Sequence, residues 1–185
     1  MHLKCSESIL KTMEELDQVW TNLLTELTVR AKNSDGGDVG EYLKLKSTND
    51  FLRSTSVQWL FESVAEIASE ANRRNANLSF EKADPHEFKI GNSNLVGWLI
   101  RFRQGVRCLS VEAGWTRSPS DGFMRGGALA LARITHFGMS KQNADLLLAK
   151  IENAPIWFMV DDHGRRSEFH SNHLQNHFKI FLNAD

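Results

Sequence analysis

The stretch that decides the fold runs from Asn94 to Phe137 and reads NLVGWLIRFRQGVRCLSVEAGWTRSPSDGFMRGGALALARITHF. Two runs of strand-forming residues flank Gln104-Gly105, and the centre of a two-residue turn needs the positive φ that glycine adopts at little cost. The stretch therefore predicts a tight β-hairpin with Ile100 opposite Leu109, then a polar, glycine-rich loop, then a third strand.

In that register one face of the hairpin is apolar on both strands, which is typical of a half-buried antiparallel pair. The opposite face brings Arg101 and Arg103 together in a partly polar setting. A helix over residues 95–102 is the alternative, but Gly97 and the shortness of the run count against it. The predicted core positions are Trp98, Ile100, Leu109 and Val111.

The composition is that of an ordinary globular protein. The 185 residues are 41% hydrophobic and 24% charged, which fits one domain with a substantial core. The net charge of −1 gives no overall attraction to nucleic acid or to an anionic membrane, so we expect neither as a partner. No apolar run is as long as a membrane span, and the first residues lack the apolar segment of a signal peptide.

Two cysteines, Cys5 and Cys108, lie far apart in the sequence and form no CxxC motif. This favours a reducing compartment, and we expect a soluble cytoplasmic protein without a cofactor. Cys108 alternates with core positions on its predicted strand, which indicates a small buried thiol.

Two amphipathic helices are predicted before the sheet. The first, from Ser8 to about Lys32, has apolar residues at three- and four-residue steps, and it either packs on its own domain or joins two copies into a homodimer. Residues 33–40 are glycine-rich and predict a loop, and Tyr42–Lys46 predicts a short extended piece. The second helix runs from Thr55 to about Arg74 and begins with a capping-box pattern.

From Asn77 the pattern changes to short strands separated by turns, which predicts an antiparallel meander. Residues 145–151 and 156–161 form either a second hairpin or a short helix followed by a strand. Ser171 is expected to cap a final helix that ends near Leu182. The other expected strands are Leu78–Lys82, Glu87–Ile90 and Ala128–Phe137. For the third of these a helix is the alternative, because alanine and leucine are good helix formers.

This order of elements predicts an α+β fold, because parallel sheets need strands and helices in alternation. We expect two N-terminal helices, a mainly antiparallel sheet of five to seven strands and a C-terminal helix. The whole chain, residues 1–185, forms one domain in this interpretation. Its helical segment covers residues 1–75, and the sheet and last helix cover residues 76–185.

The loop Trp115–Gly127 is the first candidate for function. An irregular connection of this length is unusual in a compact domain and suggests binding, although Pro119 and Asp121-Gly122 also suit an ordinary connection. Arginine holds a carboxylate or phosphate with two hydrogen bonds, and glycine lets the backbone approach a ligand. The predicted binding residues are Trp115, Arg117, Asp121 and Arg125 in the loop, with Arg101 and Arg103 on the adjacent sheet face.

Histidines near the C-terminus are the second candidate. On a helix, His170, His173 and His177 share one face, and imidazoles so spaced bind transition metals. This spacing predicts, as the alternative function, a metal-dependent hydrolase or nuclease. The same face also carries apolar residues, so the histidines equally suit the polar border of a packed helix. The alternative metal ligands are Asp161, Asp162, His163, His170, His173 and His177.

Arginines on neighbouring strands also suggest a platform for single-stranded nucleic acid, with bases stacked on Trp115 or Trp157. The arginines that would hold the phosphates are Arg101, Arg103, Arg107 and Arg133. The near-zero net charge argues against such a platform. The leading hypothesis is a non-enzymatic binding module. Its partner, an unknown protein or a small anionic ligand, contacts the loop and the arginine-bearing sheet face.

Overall fold

The computed structural model describes residues 37–152 and 154–183, apart from the side chains of residues 37–39, 119 and 125. The chain divides into two units, Met1–Asp50 and Phe51–Asp185, and the first is described only from residue 37. The predicted helix over residues 8–32, and the homodimer that would form through it, lie outside the described residues.

Helix α1 spans Gly37–Arg73 and is the only helix that precedes the sheet in the described part of the chain. The prediction of two N-terminal helices is therefore wrong for these residues, as are the loop at residues 37–40 and the extended piece at Tyr42–Lys46. Thr55 lies in mid-helix and does not cap it. The residues after Gly40 are mostly good helix formers without proline, so the helix extends N-terminally from its apolar stripe.

The sheet has seven antiparallel strands, and each strand pairs with its neighbours in the sequence. Helix α2, Ser171–Leu182, follows the last strand and confirms the predicted C-terminal helix. The α+β class is also confirmed, and the seven strands equal the upper end of the predicted range of five to seven. None of the described helices combines the length and apolar character needed to cross a membrane. The strands are β1 Ser79–Ile90, β2 Ser93–Gln104, β3 Arg107–Trp115, β4 Ala130–His136, β5 Ala144–Ile151, β6 Ala154–Val160 and β7 Arg166–Glu168.

Several predicted boundaries differ from the observed ones. Strand β1 replaces two predicted strands, because a shift of register between Ala83 and His86 lets the pairing continue past Pro85. Strands β5 and β6 form a hairpin, which resolves the alternatives for residues 145–161. Strand β7 was not predicted, since three exposed residues carry no alternation to recognise. The N-cap of α2 is His170, not Ser171.

The β2–β3 hairpin is confirmed, but its register differs by two residues from the prediction. Ile100 pairs with Val111 and not with Leu109. The two turn residues are Gly105 and Val106, and Gly105 has a φ of +56°, as the first central residue of a type II′ turn requires. A shift of two residues leaves every side chain on its own face, so the predicted core side of the hairpin is unchanged.

Both helices contribute to one hydrophobic core on one face of the sheet. Val57, Leu60 and Val64 of α1 are buried in it, as are Leu174, Phe178 and Phe181 of α2. Aromatic rings connect the layers, since the Phe102 ring lies 5.3 Å from the Phe178 ring between centroids. The indole nitrogen of buried Trp157 donates to the carbonyl oxygen of Ser56 at 3.2 Å and ties β6 to α1.

Two paired glycines let β2 and β3 approach closely. A Cβ atom on Gly97 would lie 1.9 Å from the carbonyl oxygen of Ala113 and 2.5 Å from the Cα atom of Gly114. Only glycine fits there, because both neighbours are backbone atoms. The absence of a side chain at Gly97 also lets His86 of β1 reach across β2, so that its Nε2 atom lies 3.1 Å from a carboxylate oxygen of Glu112.

Candidate functional site

The sheet face opposite the main core, called the second face here, has a polar half and an apolar half. Side chains alternate along each strand, so the rows of paired residues define the two halves. The polar half contains the rows Glu81–Arg101–Ser110–Thr135 and Leu99–Glu112–Arg133–Asp145. The apolar half begins with the row Gly97–Gly114–Leu131–Leu147–Phe158.

The charged groups of the polar half pair within the sheet. Arg101 forms an ion pair with Glu81, and its Nε atom donates to the hydroxyl of Ser110 at 3.3 Å. The Nε atom of Arg133 donates to Asp145 at 2.7 Å, and this bond raises the pKa of Arg133. The arginine-bearing face is therefore an ion-paired surface in which these cations already have carboxylate partners.

The loop after β3 covers the apolar half. Met124 packs against a small second cluster of buried residues, and Ser93 below the loop is also buried. A Cβ atom on Gly126 would lie 2.1 Å from a guanidinium nitrogen of Arg166, so the loop backbone lies against the side chain of this β7 residue. The loop thus has a structural role, which is to shield a second core. The cluster consists of Leu95, Ala128, Leu131, Leu147 and Ala149.

Polar contacts fix the first part of the loop. The carboxylate of Asp121 accepts hydrogen bonds from the backbone N–H of Arg117 at 3.1 Å and of Ser118 at 2.8 Å. The hydroxyl of Ser118 donates to the same carboxylate, and these bonds hold the pKa of Asp121 below its usual value. The guanidinium of Arg117 stacks on the ring of Trp115 at 4.2 Å from its centroid. Asp121 and Trp115 therefore position the loop.

The predicted binding residues fall into two groups. Trp115, Arg117 and Asp121 lie together at the start of the loop. Arg101 pairs with Ser110, five residues before Trp115 on β3, which corresponds to roughly 17 Å along the strand. Arg101 also faces away from the main core, against which Trp115 packs. Arg103 lies two residues beyond Arg101 towards the β2–β3 turn, where it pairs with Cys108. The side chain of Arg125 is outside the described part.

Phe123 is a candidate that the sequence analysis missed. Its side chain is 87% exposed, whereas its backbone is fixed on both sides. The hydroxyl of buried Ser93 donates to its carbonyl oxygen at 2.8 Å, and Met124 is packed beneath the loop. Gly122 before it has a φ of +96°. Adjacent Phe and Met in one loop were a usable signal, because neighbours in an extended segment point in opposite directions.

The predicted metal ligands do not come together. Asp161 shapes the β6–β7 turn by accepting from the backbone of His163 and from the backbone and side chain of Arg165, which lower its pKa. The imidazole of His173 accepts from the backbone N–H of His170 and caps α2. Among the residues that the structure describes, no group of three or more His, Cys, Asp or Glu is placed to hold a metal ion.

His177 instead bonds to His136, which is only 2% exposed on β4. The Nε2 atom of His136 lies 2.9 Å from the Nδ1 atom of His177, and the Nδ1 atom of His136 is buried without a partner in the described part of the chain. A buried N–H without an acceptor is rarer than a buried acceptor without a donor. The proton therefore belongs on Nε2 of His136, which donates to His177.

Burial keeps this histidine pair neutral. It lowers the pKa of His136, and it lowers the pKa of His177 to about 4, with further contributions from the charges of His136 and His173. The pair joins α2 to β4, with His136 buried and His177 partly buried, so its role is structural at neutral pH.

In comparison with known proteins, the chain matches no protein family, no curated protein and no solved structure. A functional proposal for this chain therefore starts from the geometry of the loop and of the second face.

Proposed function

We propose that the domain is a protein-binding module whose contact surface is the loop Trp115–Gly127. The supporting observation is Phe123, whose ring is 87% exposed on a backbone that Ser93 and Met124 hold in place. A side chain presented on a fixed backbone loses little conformational entropy on binding. Aromatic side chains and arginine also carry most of the binding energy in protein interfaces.

Arg117 gives this surface a polar contact. Its guanidinium is exposed and stacked on Trp115, so it is oriented before a partner arrives. The complementary surface on a partner is an apolar pocket for Phe123 with a carboxylate close to its rim. A small anionic ligand on the arginine-bearing sheet face is the weaker hypothesis, because Arg101 and Arg133 already pair with Glu81 and Asp145.

Replacing Phe123 with alanine is expected to weaken partner binding at least about tenfold, as for an interface residue that dominates the binding energy. A photoreactive phenylalanine analogue at position 123 would first capture the partner in cells, for identification by mass spectrometry. The purified partner would then be titrated by calorimetry against the wild type and Phe123→Ala. Phe80→Ala, at another exposed phenylalanine on edge strand β1, is the matched control and should bind like the wild type.

Ser93→Ala tests whether the fixed backbone matters. This variant keeps the Phe123 ring but removes the hydrogen bond to its carbonyl oxygen, so we expect severalfold weaker binding with a less favourable entropy. Equal affinities of the wild type and Phe123→Ala would contradict the proposal. So would cross-links that form at position 80 and not at position 123.

A further inference from the structure

A second exposed apolar surface lies at the end of the sheet opposite the loop. The β2–β3 turn carries Val106, which is 92% exposed, and the segment after β4 carries Phe137, which is 73% exposed. The backbone N–H of Phe137 donates to the carbonyl oxygen of Cys108 at 2.9 Å, which sets Phe137 beside the β2–β3 turn. With Met139, which is partly exposed, these residues form what is called the turn end here.

Turn chemistry does not account for these side chains. Tight turns favour Gly, Asn, Asp and Ser, and Gly105 and Gly138 already adopt the positive φ values that the two turns need. A polar residue would serve at position 106 with less exposed apolar surface. Single exposed apolar residues are common on protein surfaces, but here they lie on two adjacent turns.

Basic residues surround the turn end. Arg107 and Lys141 lie on the same two turns, and a hydrogen bond links Arg107 to the end of α2. Arg107 donates to the carbonyl oxygen of Phe181 of α2 at 3.1 Å, near Lys179. Across the described residues, Arg107, Lys141 and Lys179 form no ion pair. Glu66, which lines the same groove as Lys179, and exposed Asp162 form none either, whereas the other nearby acids are paired. Those acids are Glu70, Glu81 and Asp161.

We propose that the turn end binds the surface of an anionic phospholipid bilayer. Val106, Phe137 and Met139 enter the boundary between headgroups and acyl chains, and Arg107, Lys141 and Lys179 contact the headgroups. The apolar side chains lie on two separate turns, and a fluid bilayer can adapt to such separate insertion points. The net charge of −1 gave no reason to expect this, because the fold alone brings these cations together.

Vesicle co-sedimentation tests the proposal with the full chain. The wild type should bind vesicles that contain phosphatidylserine, bind vesicles of phosphatidylcholine much less, and dissociate as salt is raised. The double variant Val106→Asp/Phe137→Asp should bind anionic vesicles at least about tenfold more weakly. Lys141→Ala and Lys179→Ala should each weaken binding about fivefold. Circular dichroism would verify that the variants fold, and Val106→Ser/Phe137→Ser provides a milder second pair.

Phe123→Asp is the matched control, since it places a charge at another highly exposed phenylalanine at the opposite end of the sheet. It should bind anionic vesicles like the wild type while losing the protein partner of the loop. The proposal is overturned if the wild type ignores anionic vesicles, if Phe123→Asp weakens vesicle binding as much as the double variant, or if a cross-linker at position 106 captures a protein and no lipid.

Discussion

Replacing Gly97 with alanine is expected to destabilise the domain by at least about 3 kcal/mol, the upper range for overpacking a core. The added methyl group would meet the carbonyl oxygen of Ala113 at 1.9 Å and the Cα atom of Gly114 at 2.5 Å. Backbone atoms in the middle of a sheet cannot turn aside as a flexible side chain can. Strands β2 and β3 would therefore have to move apart at Gly97 and Gly114. The pairing of these strands supports the packing of the main core and the position of the loop.

Urea denaturation of purified protein measures this effect. Gly40→Ala in α1 is the control, because among the described residues no atom outside the adjacent helix backbone lies within 4 Å of a Cβ there. Alanine also favours a helix, so the stability of this variant should rise slightly. Gly114→Ala, with 2.7 Å to the carbonyl oxygen of Val96, should also destabilise the domain. A Gly97→Ala protein as stable as the wild type would show that the two strands lie farther apart than described.

Lowering the pH from about 6.5 to about 4 is expected to reduce the free energy of unfolding by about 2 to 3 kcal/mol through His177 alone. Its pKa is about 4 in the folded chain, against an ordinary value of 6.5. Between these values the unfolded chain binds a proton that the folded chain excludes, so acid favours unfolding. The stabilisation is complete above the ordinary pKa and is lost as the pH falls towards the folded value.

Denaturation curves at several pH values, for the wild type and His177→Gln, check this expectation. Glutamine does not titrate, so the variant should lose less stability than the wild type over this interval, although it starts from a lower value at neutral pH. His163→Gln, in the exposed β6–β7 turn, is the control and should follow the wild type. Parallel curves for the wild type and His177→Gln would show that the buried pair is not the group that responds to acid.

Local patterns were sufficient to predict most of the strands and the faces of the β2–β3 hairpin. Alternation along β2 and β3 separated Ile100 from Arg101 because one side of a sheet is buried and the other is not. The predicted register was wrong because the sequence allows two different turns, Gln104-Gly105 and Gly105-Val106. Each has one glycine among its two central residues, so the glycine alone does not distinguish them. The start of α1 was missed because its first residues carry no apolar periodicity, which is the signal by which a helix is recognised.

The candidate sites depend on contacts between distant residues, which local patterns do not contain. The loop was recognised from its length and its glycines, but Phe123 became a candidate only when Ser93 was found to hold its carbonyl oxygen. Likewise, His177 was noted for its spacing on α2, while its partner His136 lies 41 positions earlier in the sequence. In both places the decisive observation is a hydrogen bond that the fold creates.

The order of strands in the sheet also has a consequence for biosynthesis. Because every strand pairs with its predecessor, each can join the growing sheet as soon as it leaves the ribosome, without waiting for a distant segment. Helix α2 is the exception, since Phe178 and Phe181 enter the main core only after all seven strands have been made. Until then only α1 can cover this face of the nascent sheet, so the part that α2 covers is exposed, and we expect the chain to be most dependent on chaperones in this interval.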